Sequence, residues 1–370
     1  MTSRSSVLPR LTAFGTRAAH AAAILVVAVA TATLFTASAA LAQTERKIVS
    51  GPFIAVFDIV GRVRVEPGTG SDVIVEITRG GRDARKLSVE VGEIRGKHTL
   101  RVIFPDDEIV YPALGRWSNS NFSVNSDGTW GGERGWGRGH RVRVKGSGSG
   151  LEAWADLRLL VPAGKHVEVH LGVGELDANR VDADLTLDAA SARVTATGTK
   201  GNLTIDTGSG GIEVRGAAGD EISLDTGSGG VSATDVSGKR CKIDTGSGGV
   251  SGDRLSCDDL TIDVGSGSIR VDDAKGSRIR LDSGSGGIRF GMTSAPRSLE
   301  VESGSGGVTI SLPSNVNAEV EIETGSGGID SDFPVQVTRM ERRHLRGTIG
   351  DGSGRIRIET GSGSVRLRKN

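Results

Sequence analysis

Leu203-Thr-Ile-Asp-Thr-Gly-Ser-Gly-Gly-Ile-Glu-Val214 is followed nineteen residues later by Ile222-Ser-Leu-Asp-Thr-Gly-Ser-Gly-Gly-Val231. In the repeat turns the Gly-Ser-Gly triplet begins at Gly208, Gly227, Gly246, Gly265, Gly284, Gly304, Gly325 and Gly361, with spacings of 19, 19, 19, 19, 20, 21 and 36. A fixed short period is the signature of a stacked-repeat architecture. Before each turn apolar residues alternate with polar ones (Leu203/Ile205, Ile222/Leu224, Leu260/Ile262), and after it Ile212/Val214, Ile269/Val271 and Val308/Ile310 do the same. Period-two alternation of branched residues predicts half-buried strands. The turn glycines are expected to supply positive φ angles. One rung cannot bury its own apolar face, but neighbours stacked roughly 4.8 Å apart share a continuous core. The expected fold is all-β: a single-chain β-solenoid (β-helix) of nineteen-residue rungs.

Outward from the repeat, the chain divides into three expected parts. Residues 1–42 resemble a cleavable secretion signal. Arg4, Arg10 and Arg17 precede an apolar run from Ala21 to Leu41 that ends in the small-x-small triplet Ala40-Leu41-Ala42. That run predicts a periplasmic, cell-envelope or secreted protein, an uncleaved anchor being the alternative. Residues 43–161 carry alternating strands, such as Ile54 to Ile59 and Thr99 to Phe104, expected to begin and cap the solenoid. Residues 162–370 form the repeats, with the rung Arg355 to Lys369 last.

Two stretches interrupt this pattern. Residues 112–150 mix Trp, Arg, Asn and Gly without periodicity, which predicts a long mobile excursion. A second, basic excursion spans 332–347 and accounts for most of the 36-residue gap. Across 171–332 there are 26 Asp/Glu against 14 Lys/Arg, whereas Arg339 to Asn370 holds 9 bases and 3 acids, so an acidic barrel with a basic end is expected.

Little of this is catalytic. The acids before the turns (Asp206, Asp225, Asp244, Asp263, Asp282, Glu302, Glu323, Glu359) line up on one face as a solvated column or a weak calcium site, with Lys242, Arg280 and Arg357 as partial partners. The turn serines suit tight turns. No Ser/His/Asp or Cys/His set converges, so no enzyme activity and no cofactor are expected. Cys241 sits on a strand, and Cys257 stands where other rungs place a corner glycine. That arrangement permits either a disulfide closing a loop of about 15 residues, worth roughly 3 kcal/mol, or two buried thiols. Trp117, Trp130, Arg134, Trp136, Arg138 and Arg141 are the speculative binding residues: aromatics stack on sugar or lipid, and guanidinium groups pair with anions. Behind a secretion signal, the expected partner is an envelope protein or an anionic glycan or lipid surface rather than nucleic acid.

The run Leu159-Leu-Val-Pro-Ala-Gly164, the Asp-Thr-Gly-Ser-Gly-Gly turns and the ending from Arg346 to Leu367 together resemble the DUF4097 family of β-strand-repeat, adhesin-like proteins. The resemblance runs from about Lys47 to Lys369 and implies an envelope location and a solenoid; it brings no catalytic residues. The functional expectation is a non-catalytic envelope scaffold or adhesin-like binding protein. A glycan-binding or glycan-modifying β-helix protein and an envelope-stress regulatory component are the alternatives.

Overall fold

The computed structural model describes residues 44–131 and 139–370, which belong to one compact unit. The expected signal (1–42) and Arg134, Trp136 and Arg138 lie outside the described residues. Among those described there is no α-helix, only strands and two short 3-10 turns, and no helix is long and apolar enough to cross a membrane.

The chain is a β-solenoid. Strands of successive rungs pair in parallel at the register that the repeat implies: Leu203 with Ile222, Ile222 with Cys241, Cys241 with Leu260, Leu260 with Ile279. Alternating Leu, Ile and Val point inward and are buried along the whole stack. The earliest rungs, His166–Asn179 and Asp184–Thr197, run straight through the bend as single strands, without the Gly-Ser-Gly motif.

Two features of each rung explain the motif. The residue before Gly-Ser-Gly is a buried Thr or Ser in all but one of the eight turns (Val264 is the exception). Thr245 accepts a hydrogen bond from the Gly248 N–H of its own turn at 3.0 Å and donates to the Gly229 carbonyl of the preceding rung at 2.9 Å. Thr226, Ser283, Ser303 and Thr360 repeat the arrangement. These hydroxyls satisfy backbone groups that the tight bend leaves without strand partners.

The second feature corrects an expectation. None of the glycines in those eight turns adopts positive φ. Their requirement is steric: a Cβ on Gly210, Gly248 or Gly286 would lie 1.7–1.9 Å from a carbonyl oxygen of the rung beneath. The left-handed positions stand at another corner, where Arg180, Gly198, Gly216, Asp235, Arg254 and Asp273 succeed one another with φ between 51° and 68°.

Rung order departs from chain order at both ends. Phe53–Pro67 pairs with His166–Asn179 on one side, and on the other with both Lys97–Ile103 and Trp154–Val161. Antiparallel strands Val73–Gly80 and Thr44–Val49 then finish that end. At the opposite end the last rung in sequence is not last in space. Gly354–Thr360 inserts between Ser298–Ser303 and Ala318–Thr324, pairing with both, and Val365–Lys369 does the same between the strands that follow them. The stretch 332–347 forms most of an antiparallel hairpin, Gln336–Glu341 with His344–Ile349, which lies against Ala318–Thr324. Both ends thereby finish in antiparallel strands rather than in a further parallel rung.

The insertion also revises the charge picture. Arg357 lies between Glu300 and Glu321, Arg355 is opposite Glu319, and Arg368 bonds Asp330 and Asp332, each at 2.9 Å. The basic rung is enclosed by acidic ones rather than forming a free basic tip.

The described residues of the stretch 112–150 (112–131 and 139–150) are likewise more ordered than their composition suggests. Asn119–Val124 and His140–Lys145 pair antiparallel, and Glu108–Val110 completes a three-stranded sheet. Phe122, Val124, Trp130, Val142 and Val144 bury a second, smaller core against Phe57, Ile59 and Val173. Aliphatics spaced two apart in these short strands outweigh the surrounding Gly, Asn and Arg.

Candidate functional site

Parallel register turns one acid per rung into a line. In space the order is Asp188, Asp206, Asp225, Asp244, Asp263, Asp282, Glu302, Glu359 and Glu323, each opposite the next across a strand pair. Nine carboxylates at roughly 4.8 Å intervals span about 38 Å. The sequence pattern located eight; Asp188 escaped because its bend reads Ala189-Ala190-Ser191-Ala192 and lacks the triplet. The spatial order of the last two is reversed by the inserted rung.

A histidine closes the line at each end, and neither was legible as such in the sequence. His170 is opposite Asp188, and His344 is opposite Glu323. Lys242 pairs with Asp244 at 3.3 Å, Arg280 with Glu302 at 3.5 Å, and Arg357 with Glu359. The remaining aspartates feel one another. Burial first, then the adjacent carboxylates, raises the pKa of Asp206, Asp225 and Asp263.

The N-terminal end of the line is enclosed. His170 is buried, its Nδ1 2.9 Å from Asp188 Oδ2 and its Nε2 3.7 Å from Glu168. Its ring stacks on Phe57 at 4.3 Å and meets Trp130 edge-on at 5.8 Å. Burial works against the imidazolium, but Asp188 and Glu168 outweigh it, and the pKa of His170 is raised. Glu168, facing His170 and bonded to Lys97 at 2.6 Å, is lowered to about 2 despite its burial. Gly131 makes this docking possible: its φ is +78°, and a Cβ there would fall 2.2 Å from Asp188 Oδ2.

The C-terminal end is open. A groove of about 700 Å3 is lined by Asp282, Glu302, Glu323, Glu359, Arg343 and His344, together with backbone of the turns. His344 Nε2 lies 3.7 Å from Glu321 Oε1 and 3.6 Å from Glu323 Oε1.

Of the residues expected to bind, the three that are described, Trp117, Trp130 and Arg141, do not come together. Trp117 is 90% exposed, whereas Trp130 is only 5% exposed and holds the excursion against His170, so it presents no face to a ligand. Arg141 is exposed opposite Ser123, and Lys145 is opposite Asn119. Trp117 therefore lies beyond the far end of that strand pair, more than about 13 Å along the strand from Arg141. Arg143 and Lys145 are both drawn to Glu108. Cys241 and Cys257 form a disulfide across neighbouring rungs, with Cα atoms 6.0 Å apart.

The sequence profile of the family described as Toastrack DUF4097 matches residues 157–368, more than half of the chain. No curated protein matches the sequence. A crystal structure of "a putative cell adhesion protein" from Clostridium sporogenes aligns over 89% of this chain and 100% of that one. Its identity is 11% and its TM-score 0.23, so it contributes nothing to the functional argument.

Proposed function

The chain belongs to the Toastrack DUF4097 family, and on that premise we propose that it is a non-catalytic, adhesin-like scaffold of the cell envelope that holds a surface polymer or envelope protein along its outer faces. The observation that supports this reading is the in-register line of nine carboxylates on a fold whose rungs are locked by backbone pairing and by the buried hydroxyl column. Groups fixed at a constant interval on a rigid support lose little entropy on binding, and a repeating partner can meet many of them at once. Trp117, exposed at the edge of the small sheet, is a further contact for sugar or lipid.

The test is co-sedimentation of the purified chain with isolated cell envelopes, in calcium and then in EDTA. Pelleting with envelopes is expected, weakened at least severalfold when Asp225, Asp244 and Asp263 are replaced together by Asn. Retention lost only in EDTA would mean that cations bridge the carboxylate line to an anionic surface. A chain that stays in the supernatant under both conditions would reject the adhesin-like reading.

A further inference from the structure

From the geometry around His344 we infer that the C-terminal end of the solenoid carries a divalent transition-metal site, of the zinc class, formed by Glu321, Glu323 and His344. This stands apart from the envelope-binding proposal and does not depend on it.

The three ligand groups are fixed by strand pairing. Glu321 and Glu323 project from the same face of Ala318–Thr324, and His344 begins the antiparallel strand beside it, directly opposite Glu323. The Thr324 N–H donates to the Arg343 carbonyl at 2.9 Å, anchoring the backbone next to the imidazole. One ligand atom from each residue lies within 4.8 Å of the other two.

Two observations point to a shared ion rather than a simple ion pair. The separations of His344 Nε2 from the two carboxylate oxygens, 3.7 and 3.6 Å, are too long for hydrogen bonds. They lie close to the edge of a tetrahedron around an ion with bonds of about 2.0–2.2 Å, which is roughly 3.3–3.6 Å. Nε2 is also shielded from solvent and has no hydrogen-bond partner among the described residues, an arrangement proteins avoid unless something completes it. Imidazole nitrogen with two carboxylates is a borderline donor set that suits Zn2+ or Co2+ better than Ca2+. Three protein ligands leave a fourth position, on the side where His344 and Glu323 line the acidic groove. There Asp282 lines the groove with Glu302 and Glu359, which pair with Arg280 and Arg357.

The experiment titrates purified full-length chain with ZnCl2 by calorimetry, and separately with Co2+ while visible absorption is recorded. One saturable site per chain is expected, with the intense visible bands of low-coordinate Co2+. His344→Gln, Glu323→Gln and Glu321→Gln should each weaken binding at least tenfold, while Asp220→Asn, at an exposed ion pair with Lys239 outside the carboxylate line and the groove, should leave it unchanged. Circular dichroism identifies any variant that misfolds, and the remaining two then carry the test. Absence of a saturable site would overturn the inference and leave His344 simply packed beside two carboxylates. Binding that persists in His344→Gln, or that vanishes in Asp220→Asn, would overturn it by placing the metal elsewhere.

Discussion

Replacing Gly248 by Ala separates the two physical reasons a turn can demand glycine. If the demand were for positive φ, any glycine of the Gly-Ser-Gly-Gly turn would be costly to replace. If it is steric, cost should follow the distance from each hypothetical Cβ to the neighbouring rung. That distance is 1.8 Å at Gly248, 2.5 Å at Gly246 and 3.2 Å at Gly249, while Gly328 has nothing within 4 Å. Ordinary contact would require the rungs at Gly248 to separate by roughly 1.5 Å. A shift of that size strains nearby inter-rung bonds, including Gly246 N–H to Thr226 O at 3.1 Å and Thr245 Oγ1 to Gly229 O at 2.9 Å. Overpacking of about 1–3 kcal/mol together with one or two lost backbone bonds at about 1 kcal/mol each gives a cost of about 2–5 kcal/mol. Gly246→Ala should cost less, Gly249→Ala little, and Gly328→Ala nothing. The natural serines at 268 and 364, which occupy the fourth position of their turns, agree with that ranking. Urea unfolding midpoints of the four variants, followed by circular dichroism, are the assay. A Gly328→Ala variant as unstable as Gly248→Ala, or a Gly248→Ala variant with an unchanged midpoint, would refute the steric account.

Reduction of the Cys241–Cys257 disulfide, or its replacement by two serines, should destabilise the chain by about 3 kcal/mol, because the bond closes a loop of sequence separation 16. Thermal melts with and without reductant, alongside thiol titration, check this. Asp225→Asn should stabilise the fold slightly, by at most about 1 kcal/mol for a partly exposed group. Burial and then Asp244 raise the folded pKa of Asp225. Its protonated form is therefore favoured by folding, and that contribution is present below the unfolded pKa and lost as pH rises through the folded one. The gain from Asn should accordingly appear at neutral pH, fade on acidification and shrink in high salt; a gain that persists at pH 3 would contradict the column's mutual repulsion.

Much of the stack follows from local rules, because a nineteen-residue period and strict alternation leave few ways to bury Leu, Ile and Val. The Thr before Gly-Ser-Gly was visible as part of the motif, but its bridge between rungs could be seen only once two turns were superposed. Composition does not place Trp130: its burial is set by the ring of His170, forty residues away in sequence. Sequence places Glu323 on a strand and His344 in an irregular basic stretch, with no local signal that they face each other.

The repeat thus determines what a rung is, which side chains it buries and at what register it meets a neighbour. It does not determine which neighbour, because near-identical rungs present interchangeable edges and periodicity is blind to their exchange. Tertiary structure makes that choice. Inserted there, Arg357 has Glu300 on one side and Glu321 on the other, Arg355 gains Glu319 and Arg368 gains Asp330 and Asp332, and the hairpin at 336–349 covers the edge left by Ala318–Thr324. The last rung of the chain is therefore set one place inward, and that placement brings Glu359 beside Glu323 and completes the acidic groove at His344.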